Sequence, residues 1–329
     1  MKRTIKIKFV DFYDGFNHSD NEFIDILRKR YDVKLSDNPD YLFYSGFGYE
    51  HLDYKCIRIF YTGECQTPDF NQCDYAIGFD RLQFGDRYLR IPLYMLFQYK
   101  KDFLALQQHK PYSPKVLKDK TGFCNFVYSN CFAQDERTQM FELLSQYKKV
   151  DSGGRYRNNI GGAVKDKKAF QEKYKFTIAF ENTSCDGYAT EKITEAFAAG
   201  TIPIYYGDPY IAEDFDEGAF VNCHRYNSFE EVVERVKEID QDDQLYMRML
   251  NTPAVKIEYK AMDDFLFNIV DQPLSEASRR PNSIPVKNLE SMILRHRFFE
   301  SRIYKYYRKM LNQIKRIQTG TMLTSNRIR

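Results

Sequence analysis

The sequence has 329 residues, 43% hydrophobic and 29% charged, with 26 Tyr and 27 Phe but no Trp. That length fits two domains, the composition is globular, and apolar runs such as Ala196-Phe197-Ala198-Ala199 are far shorter than the roughly 20 residues of a membrane-spanning helix. The net charge of +3 is unevenly placed: residues 279–329 carry thirteen Lys/Arg against two Glu, which leaves the preceding body at −8, and a basic tail on an acidic body points to an anionic partner.

In chain order, Thr4–Val10 alternates apolar and polar residues and reads as a strand; without an apolar leader segment, no secretory signal is expected. Ser19-Asp20-Asn21-Glu22 reads as a capping box with Ser19 as N-cap, opening a helix with Phe23, Leu27 and Tyr31 on one face. Short β-prone runs follow at 31–35, 41–44 and 56–61, the last ending at Thr62-Gly63-Glu64. Residues 97–109 read as a helix, broken by Lys110-Pro111-Tyr112-Ser113-Pro114, where the domain boundary is expected.

The second half repeats the pattern. Gly122–Tyr128 is a predicted strand and Glu136–Tyr147 a helix; glycine pairs at 153–154 and 161–162 bracket a basic loop with Arg155 and Arg157. Phe176–Phe180 is a buried strand, Tyr188–Ala199 a helix closed by Gly200, and Thr201–Tyr206 a strand whose Pro203 argues for an edge or a strand start. Ser228-Phe229-Glu230-Glu231 is a second capping box. Strands alternating with helices predict parallel α/β sheets. The seven cysteines (56, 65, 73, 124, 131, 185, 223) include no CxxC pair, so reduced thiols are expected rather than a zinc site or disulfide framework.

The segment from Phe180 to Lys192 carries the chemistry. It runs from a buried strand through a polar loop into a helix, where free N–H groups and the helix dipole favour an anion and Lys192 adds a full charge. Read from residues alone, this is a phosphate site without Walker glycines, or else a solvated first turn. Phe180-Glu181-Asn182, five residues, Tyr188-Ala189-Thr190-Glu191-Lys192, then Ala199-Gly200-Thr201-Ile202-Pro203-Ile204 resembles the signature of the α-1,3/4-fucosyltransferases, glycosyltransferase family ten. Tyr206-Gly207-Asp208-Pro209, Asp214-Phe215, Phe60–Glu64, Asp74–Asp80 and Arg87–Leu93 extend the likeness to bacterial members over residues 5–270.

The resemblance implies a GT-B architecture: two Rossmann-like domains facing a cleft, residues 1–114 for the acceptor and 115–258 for GDP-fucose, then a C-terminal segment and tail, 259–329. It implies inverting transfer of L-fucose from GDP-β-L-fucose to O3 of N-acetylglucosamine in a lactosamine-type glycan; the alternatives are another regiochemistry or acceptor, such as O4, or a catalytically silent sugar-nucleotide-binding, membrane-docking protein. It makes Glu64 the general base, Arg137 and Lys192 the phosphate-binding cations, and Asn182, Tyr188 and Glu191 donor contacts. No cofactor or metal is expected, although Asp214-Phe215-Asp216 forms a DxD string. Ala189 stands where the family often has Val, and the heptad array of some gastric bacterial members is absent between 260 and 290. The tail, 289–317, reads as a basic amphipathic helix with Met292, Leu294, Phe298, Phe299, Ile303, Tyr306, Tyr307, Met310, Leu311 and Ile314. It is expected to meet an anionic membrane, giving a cytoplasmic protein peripheral at its inner face, or to dock on the body; no nucleic acid is expected.

Overall fold

The alternation of Thr4–Val10 becomes the first strand, β1, with Ile5, Ile7 and Phe9 buried. In the computed structural model, which describes residues 2–130, 135–277, 298 and 302–318, it is followed by α1 (Glu22–Arg28), β2 (Asp32–Leu35), β3 (Tyr41–Tyr44), β4 (Ile57–Tyr61), β5 (Tyr75–Gly78) and β6 (Tyr88–Arg90). These strands form one sheet in the order β2-β1-β3-β4-β5-β6, every pairing parallel. β3, β4 and β5 are buried along their whole length, as strands covered on both faces must be. The α1 cap differs from expectation. Asn21, not Ser19, is the N-cap and accepts from Ile24 N at 3.2 Å, while Ser19 bonds to Asn17.

The next stretch runs α2 (Lys100–Gln107), α3 (Val116–Asp119), β7 (Gly122–Phe126), α4 (Glu136–Tyr147), β8 (Val150–Ser152), α5 (Lys167–Gln171), β9 (Tyr174–Phe180), α6 (Glu191–Ala198), β10 (Ile202–Tyr206), β11 (Val221–Asn222), α7 (Phe229–Gln241) and α8 (Asp243–Leu250). Its sheet is also fully parallel, in the order β11-β10-β9-β7-β8. Val232, Val233, Val236 and Ile239 put the apolar stripe of α7 into one core with Met140 and Leu144 of α4. Pro203 is the second residue of β10, at the start of a strand that lies inside the sheet, in line with the strand-start reading. β11 pairs only from Ile204 onward, so Pro203 meets a ladder from β9 alone. Gly200, at φ +64°, closes α6 as read from the sequence.

The chain then returns to the first sheet with α9 (Asp263–Asp271) and α10 (Leu274–Ala277), and α11 (Arg302–Gln318) is the described part of the tail. Two units result: Met1–Leu93 with Lys260–Tyr307, and Tyr94–Tyr259 with Arg308–Arg329. The segment 94–114, read in the sequence with the first domain, falls with the second unit, where α2 packs on α6. Residue 259 onward was read as a separate segment; instead α9 packs on α1, Lys29 pairs with Asp263, Arg30 lies 4.0 Å over Phe267, and Leu266, Phe267, Ile269 and Val270 are buried. The six described cysteines carry no disulfide; Cys131 lies outside the described residues, as do Met292, Leu294 and Phe299 of the tail.

Candidate functional site

In the second sheet the chain steps from β7 to β8 on one side, then places β9 on the other side of β7. The carboxyl ends of β7 and β9 therefore flank a topological switch point, where open α/β sheets receive ligands. A cavity of about 190 Å³ opens there, lined among others by Tyr128, Asn130 and Arg137 after β7 and by Asn182, Glu191 and Lys192 after β9. Four of the residues singled out in the sequence thus meet on one wall: Arg137, Asn182, Glu191 and Lys192. Lys167 adds a third cation, paired with Glu195.

Arg137, in the first turn of α4, is 2% exposed. Its guanidinium lies 3.9 Å over the Tyr128 ring and donates to Asn182 Oδ1 at 2.8 Å and to the Phe180 carbonyl at 3.2 Å. Its buried Nε has no hydrogen-bond partner among the described residues. Tyr128, pushed up to about 12 by burial, donates to the Ile178 carbonyl at 2.8 Å and accepts from Phe180 N at 2.7 Å. The ring and the amide fix the cation's plane, so Asn182 positions Arg137 as well as lining the cavity.

Lys192, in the first turn of α6, is held by a residue that the sequence reading passed over. Glu181 has a fully buried side chain and pairs with Lys192 Nζ at 2.8 Å. The same carboxylate accepts from Thr190 N at 2.8 Å and from Thr190 Oγ1 at 2.8 and 3.0 Å. Glu191 lies 3.7 Å from Lys192 Nζ. Burial opposes the charge on Lys192, but Glu181 and Glu191 outweigh it and hold its pKa above the ordinary lysine value. Burial likewise disfavours a charged Glu191, yet Lys192 and Lys167 keep it below its usual value.

The floor behind Glu181 is tight. A Cβ on Gly207 would stand 2.5 Å from Glu181 Cγ and 2.7 Å from Tyr205 Oη, so only glycine lets the β10 end pass. Gly207 N donates to His224 Nε2 at 3.2 Å, and the imidazole stacks on Tyr206 with centroids 4.7 Å apart. Burial lowers the His224 pKa below its ordinary value of 6.5. Asp208, also buried, accepts from Gly187 N at 2.8 Å and Tyr210 N at 2.9 Å, and so fixes the loop into α6.

Tyr188 is 2% exposed and does not line the cavity; its carbonyl accepts from Tyr205 Oη at 3.4 Å. The DxD carboxylates are engaged locally. Asp214 is buried and accepts from Tyr94 Oη at 2.8 Å, and Asp216 accepts from Gly218 N at 2.8 Å. Among the described residues, no three His, Cys, Asp or Glu side chains cluster as metal ligands. Glu64 belongs to the first unit. It is exposed three residues past β4, and its N–H donates to Thr62 Oγ1 at 3.0 Å.

Residues 7–97 match the family model described as the alpha-(1,3)-fucosyltransferase FucT N-terminal domain, and residues 117–262 match the C-terminal model of glycosyltransferase family 10 (fucosyltransferase). The chain is 38% identical over 272 residues to an alpha-(1,3)-fucosyltransferase FucT of Helicobacter pylori, covering 72% of this chain and 57% of that protein. A putative fucosyltransferase of Acanthamoeba polyphaga mimivirus is 28% identical over 211 residues, covering 60% of this chain and 33% of that one. The chain thus spans about half, or less, of the length of these curated relatives. A crystal structure of an alpha1,3-fucosyltransferase with GDP-fucose superposes with a TM-score of 0.69 at 30% identity, over 83% of this chain and 93% of that one.

Proposed function

The chain belongs to the fucosyltransferases of glycosyltransferase family 10 and has their GT-B fold class, and from that premise we propose that it transfers L-fucose from GDP-β-L-fucose, with inversion, to O3 of N-acetylglucosamine in a lactosamine-type glycan, giving a Lewis-x-like product. The observation that carries the donor half is the pairing of Arg137 and Lys192 on one cavity wall at the switch point of the second sheet. Loss of GDP places growing negative charge on the β-phosphate, and preorganised cations in a partly buried site stabilise that charge most. Lys192 stays charged because Glu181 holds it, and Arg137 is held flat by Tyr128 and Asn182. Glu191 and Asn182 are the donor's polar contacts, with Tyr188 supporting them from the interior. Because two side-chain cations supply the charge, transfer proceeds without a divalent ion.

The acceptor half falls to Glu64. An alcohol is a poor nucleophile at neutral pH, and inversion requires the acceptor oxygen to attack C1 as the bond to GDP breaks. The Glu64 carboxylate takes the hydroxyl proton in that step. One assay tests the reading: GDP release from GDP-fucose with and without N-acetyllactosamine, in the presence of EDTA, with the product linkage assigned by NMR. An α-1,3 product supports the assignment and an α-1,4 product moves the regiochemistry to O4. GDP-fucose binding without transfer to any acceptor leaves a sugar-nucleotide binder and rejects the activity. Activity lost in EDTA and restored by a divalent ion assigns the phosphate charge to a metal.

The tail supports a peripheral attachment at the inner face of an anionic membrane. Tyr307, Met310, Leu311 and Ile314 on α11 are all exposed, at helical spacing, beside Arg308 and Lys309. No helix among the described residues is long and apolar enough to cross a membrane.

A further inference from the structure

The first sheet has its own switch point. β2 lies on one side of β1 and β3 on the other, so the carboxyl ends of β1 and β3 flank the position where such a sheet takes a ligand. The chain leaving β1 turns at Asp11, a non-glycine residue at φ +58°. Several bonds hold that conformation. The Asp11 carbonyl accepts from Phe47 N at 3.0 Å, and its carboxylate accepts from Glu50 N at 3.0 Å and His51 N at 2.9 Å. The buried His51 ring lies 2.7 Å from the same carboxylate and stacks on Tyr44 with centroids 4.0 Å apart. A strained residue so thoroughly fixed marks a place where backbone direction matters.

What the two loops present is aromatic and open to water. Tyr13 is 54% exposed and Phe47 is 49% exposed, and they meet edge to face at 6.2 Å. Tyr13 is backed by Phe16 at 6.0 Å, and Phe16 stacks on Phe12 at 4.0 Å. The pair adds little to the core, so its apolar area is available to a ligand. It is also continuous with the Glu64 turn. A Cβ on Gly46 would stand 1.8 Å from Gln66 Oε1, and Gln66 N donates to the Glu64 carbonyl at 2.7 Å.

We propose that Tyr13 and Phe47 form the stacking platform that receives the acceptor sugar, a pyranose whose axial hydrogens make one face apolar, as in a β-galactoside. This rests on the function proposed above and adds the residues that choose and orient its acceptor. A ring face covers the C–H face of the sugar and leaves the hydroxyl edge free, so an oxygen can be turned toward Glu64 without a rigid set of hydrogen bonds. Because the loops are already pinned by Asp11, little ordering entropy is lost on binding.

The probe is N-acetyllactosamine, followed both by direct NMR titration and as acceptor in the transfer assay. Tyr13→Ala and Phe47→Leu are expected to raise its Kd and KM by about five- to tenfold each, with GDP affinity and Tm unchanged. Phe47→Tyr, which keeps the ring, should stay near wild type. Ring variants that bind the saccharide as tightly as wild type overturn the platform, as does a wild type that binds none. If wild type transfers fucose while the ring variants bind normally, the function stands and the platform falls. If saccharide binding depends on the rings and no fucose is transferred, the platform stands and the function falls.

Discussion

At the scale of single residues, Lys192, the cation proposed to hold the donor, depends on a carboxylate that does not line the cavity. Glu181 is buried with Lys192 as its cation, so removing the lysine has two consequences that can be separated. Lys192→Met loses a charge-assisted contact, about 1.5–3 kcal/mol or roughly 10- to 150-fold in GDP affinity. It also leaves a buried carboxylate unpaired, a cost of about 3–5 kcal/mol in stability. Urea denaturation and GDP titration of the double variant Glu181→Gln/Lys192→Met should show stability largely recovered and binding still weak. Recovery of both would make Lys192 a structural cation only. Arg137→Ala should weaken GDP to a similar degree. Glu64→Gln keeps size and hydrogen bonding and removes basicity. It should lower kcat by about 10²–10⁴-fold with GDP-fucose affinity near wild type; normal turnover would remove Glu64 from the chemistry, and joint collapse of binding and turnover would make its role structural.

At the scale of elements, the β9 end, the first turn of α6 and the β10 end act as one piece, closed by Gly207 and His224. Gly207→Ala drives a methyl group into Glu181 and Tyr205, so Tm and GDP affinity should fall together. A fall in Tm alone would show that the collision does not reach Lys192. His224 supplies a pH dependence. Its pKa is lowered in the folded chain, so the unfolded chain takes up the proton first. Its contribution is therefore present above about pH 6.5, the ordinary value, and is lost as the pH falls below it. Denaturation at pH 7.5 and 5.5 should show a larger loss for wild type than for His224→Gln, which keeps an acceptor for Gly207 N–H; equal losses would place the sensitivity elsewhere. Much of this piece was legible beforehand, because the strand, the polar loop, Lys192 and the Gly200 cap follow from local pattern. Glu181 was not, since a Glu in a polar loop looks solvated until Gly207, 26 positions on, lets β10 close over it. The burial of Arg137 was not legible for a related reason: the Tyr128 ring over which it lies comes from another part of the chain. Tyr13 and Phe47 lie on two loops 34 positions apart, and only the order of the strands brings them together. The α1 cap went to Asn21 because three cap formers, Ser19, Asp20 and Asn21, stand side by side, and local pattern does not choose among them.

At the scale of the whole molecule, the membrane attachment proposed for the tail is separable from the transfer proposed for the body. A chain ending at Ser278 keeps every described element but α11. It should remain folded and transfer fucose to soluble acceptors, yet no longer sediment with vesicles containing phosphatidylserine. For the full chain, that binding should weaken with salt, since each Lys/Arg near an acidic surface contributes only about 1 kcal/mol and is screened. Vesicle binding that survives the truncation would locate the anchor in the body. Ending the chain at Tyr259 is a different operation, because it removes α9, with its buried Leu266, Phe267, Ile269 and Val270, and uncovers the face of α1 on which they pack. The first unit is thus interrupted in sequence, and the Tyr94–Tyr259 part of the second falls inside the interruption. On the ribosome, the first sheet emerges early but must wait for about 180 further residues before its last helices exist. At about 5–20 residues per second, that is a delay of roughly 10–40 s, during which the Tyr94–Tyr259 stretch can already close its own core. The order of completion is therefore the reverse of the order of synthesis, and protease pulses on stalled nascent chains should find the later-made sheet protected first.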